Sequence, residues 1–119
     1  MIAFLRTEAG WEVVERCLPG SLASTVNLAE VAQRFVREGV LPHDVSRLID
    51  SLGTVAIPPD LPLAIAAGTM AATTSKRGLS LADRFCLALA RRENIPALTA
   101  DRAWAEIADA VGVRVELLR

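Results

Sequence analysis

The chain has 119 residues, of which 52% are hydrophobic, and a net charge of −1 at pH 7. This size and apolar content predict a single domain over residues 1–119. The longest uncharged run, Leu61 to Ser75, is too short to span a bilayer, and no secretory leader is recognisable, so we expect a cytoplasmic protein. Because the net charge is close to zero, any contact with nucleic acid would need a local basic patch.

Helical spacing and short apolar runs alternate through the first half of the chain. Asn27 is the expected N-cap of its first well-defined helix, and Gly39 the expected end. The predicted elements are, in order, a helix over 7–18, a strand over 21–26, a helix over 27–39, a helix over 43–52 and a strand over 54–57.

The second half repeats this alternation. Its predicted elements are a helix over 60–75, a loop over 76–78, a helix over 81–92, a strand over 96–99, a helix over 102–111 and a strand over 113–117. The first of these helices carries no charge after Asp60, so we expect it to be buried on several sides. Strands that alternate with helices predict an α/β fold with a mostly parallel sheet.

Two cysteines, Cys17 and Cys86, fall on apolar faces of predicted helices. Neither has a second cysteine or a histidine at metal-ligand spacing. We therefore expect two buried, reduced thiols.

Three acidic residues stand near predicted helix starts. Glu30 follows Asn27 by three residues, Asp83 follows Ser80 by three residues, and Asp101 lies just after the predicted strand over 96–99. The carboxyl ends of parallel strands share one edge of a sheet, so these acids can meet there. Carboxylate oxygens suit Mg²⁺ or Mn²⁺, and such an ion can activate water for attack on a phosphodiester.

A purely structural interpretation explains the same spacing. The Asn27–Glu30 and Ser80–Asp83 pairs resemble capping boxes, and Asp101 resembles an N-cap. Each feature would stabilise its helix by about 0.5 to 2 kcal/mol without any catalytic role. Spacing alone leaves both interpretations open.

Three longer segments of the sequence resemble a known family, and this resemblance favours the metal-site interpretation. "VNLAEV", "GLSLADRFCLALARRENIPALTADRAW" and "GVRVELLR" resemble the PIN-domain ribonucleases of the VapC toxin type over nearly the whole chain. The resemblance implies a three-layer α/β/α sandwich, Mg²⁺ or Mn²⁺ bound by acids, RNA as the substrate and neutralisation by a cognate antitoxin. By matching motif it implies that the catalytic and metal-binding residues are Glu30, Asp83 and Asp101.

The same resemblance assigns supporting positions. Residues expected to orient these acids or to contact the RNA are Asn27, Ser80, Arg84 and Thr99. The uncharged segment 61–75 has small residues that would suit a homodimer contact. An alternative function is therefore a non-catalytic PIN-like module that binds an antitoxin or itself.

The chain departs from the family at its beginning. Family members open with a strand that ends in an aspartate, whereas "MIAFLRTEAGW" matches only the end of the helix that follows that strand. We therefore expect the first strand and the first acidic ligand to be missing. Because ligand charge governs much of the affinity for a hard cation, weak or absent cleavage is expected.

Overall fold

The computed structural model describes residues 16–117, which fall into two compact units that meet in sequence between Pro58 and Pro59. The helix expected over 7–18 lies almost wholly outside the described residues. Each unit contains one two-stranded parallel sheet. The mixed α/β class with short parallel strands is thus confirmed, while the single-domain organisation stays a prediction.

The first unit alternates strands and helices as expected. Its elements are β1 (Leu22–Ser24), α1 (Thr25–Arg37), α2 (Pro42–Ser51) and β2 (Val55–Ile57). The strands pair in parallel, with Leu22 opposite Val55 and Ser24 opposite Ile57.

Helix α1 begins earlier than expected. Ser24 is its N-cap, because the Ser24 side chain accepts a hydrogen bond from the Val26 N–H at 3.2 Å. The prediction of Asn27 as the N-cap is therefore wrong, and so is an Asn27–Glu30 capping box. Ser24 ends the strand and caps the helix at once, which leaves Asn27 inside the first turn.

The core of the first unit lies between its helices and its sheet. Leu28 and Val31 of α1 are buried, as are Val45 of α2 and Ala23 of β1. Cys17, in contrast, is exposed. Its expected burial is wrong, because apolar spacing near a helix end does not ensure that a residue is covered.

Within residues 16–117, most of the helical residues belong to the second unit. Its elements are α3 (Leu61–Thr69), α4 (Ala71–Thr74), a 3-10 turn (Ser75–Arg77), α5 (Leu81–Glu93), β3 (Ala97–Thr99), α6 (Ala103–Val111) and β4 (Val115–Leu117). The two strands are parallel, with Ala97 opposite Val115 and Thr99 opposite Leu117.

Helices α3 and α4 replace the single helix expected over 60–75. The helix is interrupted at Met70 and is buried along one face only, at Leu63, Ala67, Met70 and Thr74. On α3, Leu61 is 71% exposed and Ile65 is 56% exposed. The prediction that this segment is buried on several sides is therefore wrong. Its uncharged residues include one buried face, spaced as in an ordinary helix, and one exposed face.

Helix α5 is the most deeply buried helix of the second unit. Its buried residues are Ala82, Phe85, Leu87, Ala88, Leu89 and Ala90. It contacts α3 and β3, so it forms the centre around which this unit packs. No helix within residues 16–117 has the length and apolarity needed to cross a membrane.

The burial pattern of α3 predicts unequal effects of two leucine truncations. Leu63 is 2% exposed, so Leu63→Ala should lower the free energy of unfolding by about 2 to 5 kcal/mol through lost contacts and a cavity. Leu61→Ala is the matched control on the exposed face, where a change within about 0.5 kcal/mol is expected. Urea denaturation measures both values, and similar losses for the two variants would contradict the assigned face.

Candidate functional site

The start of α5 is organised by a reciprocal pair of hydrogen bonds. The Ser80 hydroxyl accepts from the Asp83 N–H at 3.1 Å, and Asp83 Oδ2 accepts from the Ser80 N–H at 2.9 Å. This capping box confirms the structural interpretation of the Ser80–Asp83 pair. It engages one carboxylate oxygen of Asp83, so the other oxygen, Oδ1, remains outside the box.

Asp101 is held in a similar way where β3 leads into α6. The Asp101 N–H donates to the buried Thr99 hydroxyl at 3.0 Å, and Asp101 Oδ1 accepts from the Ala103 N–H at 2.9 Å. The N-cap residue of α6 is Arg102, which makes no side-chain cap bond, so the prediction of Asp101 as the N-cap is wrong. Asp101 instead holds the Ala103 N–H from one residue further back. Thr99 holds the main chain of Asp101 in place through its side chain.

Glu30 has a different setting from the two aspartates. It is exposed in the middle of α1 and belongs to the first unit, whereas Asp83 and Asp101 belong to the second. Over residues 16–117, no three His, Cys, Asp or Glu side chains stand together as a metal-binding group. The convergence of all three acids on one ion stays a prediction.

The donor chemistry of the two aspartates fits a hard divalent cation. Each residue supplies a carboxylate whose position is fixed by main-chain N–H groups, and these bonds use Oδ2 of Asp83 and Oδ1 of Asp101. Oxygen ligands of this type are those that Mg²⁺ and Mn²⁺ prefer. Main-chain hydrogen bonding and metal binding can therefore use different oxygens of the same side chain.

Arg84 bonds to its own unit. Its Nε donates to Thr74 Oγ1 at 2.8 Å, and its Nη2 donates to the Leu79 carbonyl at 3.1 Å. Sequence reasoning included Arg84 but missed Thr74, which is fully buried at the end of α4. No spacing signal links two side chains ten residues apart across a turn, so Thr74 looked like one more small residue in an uncharged run.

Other arginines of the second unit also bond to protein groups. Arg77 forms an ion pair with Glu106 at 2.6 Å, and Arg92 forms one with Asp60 at 3.2 Å. Both pairs are largely exposed, so each adds little stability. They do reduce the positive charge that this surface offers to a phosphate backbone.

Cys86 lies one turn after Asp83 and is partly buried. Burial of the thiol and the negative charge of Asp83 together raise the pKa of Cys86 to about 11. The thiol is therefore protonated and weakly nucleophilic at neutral pH.

These features define an α/β protein with carboxylates fixed at the starts of helices that follow a turn or a strand. The PIN domain family model matches residues 1–110, so the chain belongs to the PIN domain family. Comparisons with curated proteins and with solved structures gave no match. PIN domains are generally nucleases and typically use divalent metal ions, so nuclease action on nucleic acid is the family-level function.

The raised pKa of Cys86 predicts a loss of stability at high pH. The thiol of the unfolded chain loses its proton near its ordinary pKa of 9.0, whereas the folded protein keeps the proton until about pH 11. Between these two pKa values the unfolded state binds fewer protons than the folded state, so the free energy of unfolding falls as pH rises. The loss attributable to Cys86 should reach about 1 to 2 kcal/mol at pH 10.5.

Urea denaturation of the wild type and of Cys86→Ala between pH 8 and pH 10.5 measures this contribution. The wild type should lose more stability over this range than Cys86→Ala, whereas Cys17→Ala, which alters an exposed thiol, should follow the wild type. Parallel pH profiles for the wild type and Cys86→Ala would contradict the assignment.

Proposed function

We propose that this protein is a VapC-type toxin, a metal-dependent ribonuclease that acts in the cytoplasm and is neutralised by a cognate antitoxin. The observation that carries the proposal is the match of the PIN domain model to residues 1–110. It is supported by two aspartates at motif positions, each with its carboxylate fixed by main-chain hydrogen bonds. Such fixed carboxylates favour catalysis because no reorganisation is needed when a ligand arrives.

Glu30, Asp83 and Asp101 are the residues proposed to hold Mg²⁺ or Mn²⁺. When bound, the ion supplies an activated water and neutralises charge on the phosphodiester. The chain contributes the orientation of the acids. Ser80 holds Asp83 through the capping box, and Thr99 holds the main chain of Asp101.

Neutralising one acid at a time tests the ribonuclease proposal. Asp83→Asn, Asp101→Asn and Glu30→Gln should each reduce the weak Mn²⁺-dependent cleavage expected of this chain, measured on a labelled RNA, by on the order of 100-fold, because each removes a charged ligand. An excess of EDTA should abolish wild-type cleavage. Gel analysis of the products gives the rates.

Asp83→Asn also separates capping from catalysis. The amide oxygen of the new side chain can still accept from the Ser80 N–H, so the stability loss should stay within about 1 kcal/mol. Asp109→Asn is the matched control, because it makes the same change at an exposed position of α6. Full activity in Asp83→Asn, or cleavage that survives EDTA, would contradict the proposed site.

The first unit offers a surface that supports antitoxin binding. A cavity of about 500 Å³ opens between α1 and α2, and its apolar lining includes Ala32, Val36, Pro42 and Val45. An apolar groove between two helices is a common receptor for a partner segment. We propose that the antitoxin docks here, and that the exposed Leu61 and Ile65 of α3 contribute to a homodimer.

Because only weak cleavage is expected, expression of the chain at a high level should slow or arrest bacterial growth, and co-expression of the product of the adjacent gene should restore it. Val36→Glu should prevent this restoration without lowering cleavage in vitro, because Val36 is 46% exposed and lines the groove. Val55→Glu is the matched control, since Val55 is 47% exposed in β2 and is not among the residues that line the groove. Growth curves, and co-purification with the adjacent gene product, provide the measurement.

If the adjacent gene product relieves the growth arrest as completely in Val36→Glu as in the wild type, the groove is not the docking site. Absence of any growth arrest by a wild-type chain that cleaves RNA in vitro would contradict the toxin role. The ribonuclease proposal would remain, because the in vitro cleavage assay tests it separately.

A further inference from the structure

Arg84 has a further role, which rests on the proposed ribonuclease function. We propose that Arg84 is a positioning residue for Asp83 and that it does not contact RNA. It acts through the peptide group between Leu79 and Ser80, which both residues hold. The geometry that supports this role lies entirely within the second unit.

The peptide group between Leu79 and Ser80 is held at both of its polar atoms. Its carbonyl oxygen accepts from Arg84 Nη2 at 3.1 Å, and its N–H donates to Asp83 Oδ2 at 2.9 Å. A peptide group is rigid and planar, so rotation of one end rotates the other. The guanidinium of Arg84 therefore helps to orient the Ser80 N–H that donates to the Asp83 carboxylate.

Arg84 is itself anchored on the other side of the turn. Its Nε donates to Thr74 Oγ1 at 2.8 Å, and that hydroxyl donates to the Met70 carbonyl at 2.8 Å. Thr74 has no exposed surface. A buried, hydrogen-bonded chain of this kind restricts the side chain to one conformation, because each unsatisfied member would be costly.

The turn between these anchors needs such support. Gly78 has a φ of +72°, and the 3-10 turn Ser75–Arg77 before it has no side-chain cap. Leu79, next to this turn, is buried. Arg84 bonds to the Leu79 carbonyl, and its main-chain N–H also donates to the Ser80 carbonyl at 3.2 Å.

The arrangement commits Nε and Nη2 of the guanidinium to acceptors of the same unit. Two of its three nitrogens donate to protein acceptors, and the side chain is partly buried. A phosphate-binding arginine would instead present its paired nitrogens to solvent. The geometry therefore favours a role in holding the site over a role in binding the RNA backbone.

Thr74→Val is the most informative variant, because it removes the acceptor of Arg84 and preserves both side-chain shape and the charge of Arg84. The positioning role predicts that Thr74→Val lowers kcat for RNA cleavage about 10-fold with KM within about twofold of the wild type. Thr74→Ser, which restores the hydroxyl, should recover most of kcat. Circular dichroism confirms that each variant is folded.

Two substitutions of Arg84 complete the experiment. Arg84→Lys keeps the charge but cannot bond Thr74 and Leu79 together, so it should lose kcat as Arg84→Gln does. A direct contact between Arg84 and RNA predicts a different result. Arg84→Gln would then raise KM and reduce the slope of log binding constant against log salt concentration by about one, as expected for the loss of one phosphate contact. Thr74→Val would have no effect. Arg47→Gln, an exposed arginine of α2, controls for loss of charge and should match the wild type.

A readout that does not need activity tests the positioning role separately from the ribonuclease proposal. The Ser80 amide proton should exchange with solvent at least about 10-fold faster in Thr74→Val and Arg84→Gln than in the wild type, as measured by NMR. If the wild type does not cleave RNA but both variants show this faster exchange, the ribonuclease proposal would be rejected. The link between Arg84 and the Ser80 amide would be retained. Unchanged exchange, or wild-type kcat in Thr74→Val, would overturn the positioning role.

Discussion

The hydrogen bonds at the Leu79–Ser80 peptide fix the start of α5, and the arrangement of the second unit depends on that start. Helix α5 is buried along most of its length and contacts both α3 and β3. A helix with so many buried residues can shift only if its neighbours move as well. The buried residues of α5 are therefore held by the core, and its first turn is held by the hydrogen bonds of Ser80, Asp83 and Arg84.

The choice between capping and catalysis does not have to be made for Asp83. The capping box uses Oδ2, which leaves Oδ1 as a separate oxygen on a side chain that cannot rotate freely. The positive end of the helix dipole also stabilises the negative charge of this carboxylate. A residue that caps a helix is thus already charged and oriented, which are two properties that a metal ligand needs.

The sequence predicts the order of elements well, because periodicity and turn residues act locally. It predicts boundaries less well. Ser24 takes the capping role expected of Asn27, since a strand and a helix can meet without an intervening loop. The segment 60–75 shows a second limit, because residues without charge can be buried or exposed, and only packing against α5 decides which face of α3 is covered.

The candidate site shows the same division between local and long-range information. The Ser80–Asp83 pair is readable from its spacing of three residues, because a capping box is a local structure. The Arg84–Thr74 bond is not readable, because it joins side chains that only the folded turn brings together. A capping box therefore leaves a local motif in the sequence, whereas a side-chain bond across a turn does not.

The charge of the second unit affects how such a site would bind RNA. Arg77, Arg84 and Arg92 bond to acceptors of the same unit, and the whole chain has a net charge of −1. Long-range attraction to a polyanion is therefore weak, and affinity must come mainly from short-range contacts. Acids that hold a divalent ion would then have two functions, since the ion that activates water would also add positive charge close to the phosphodiester.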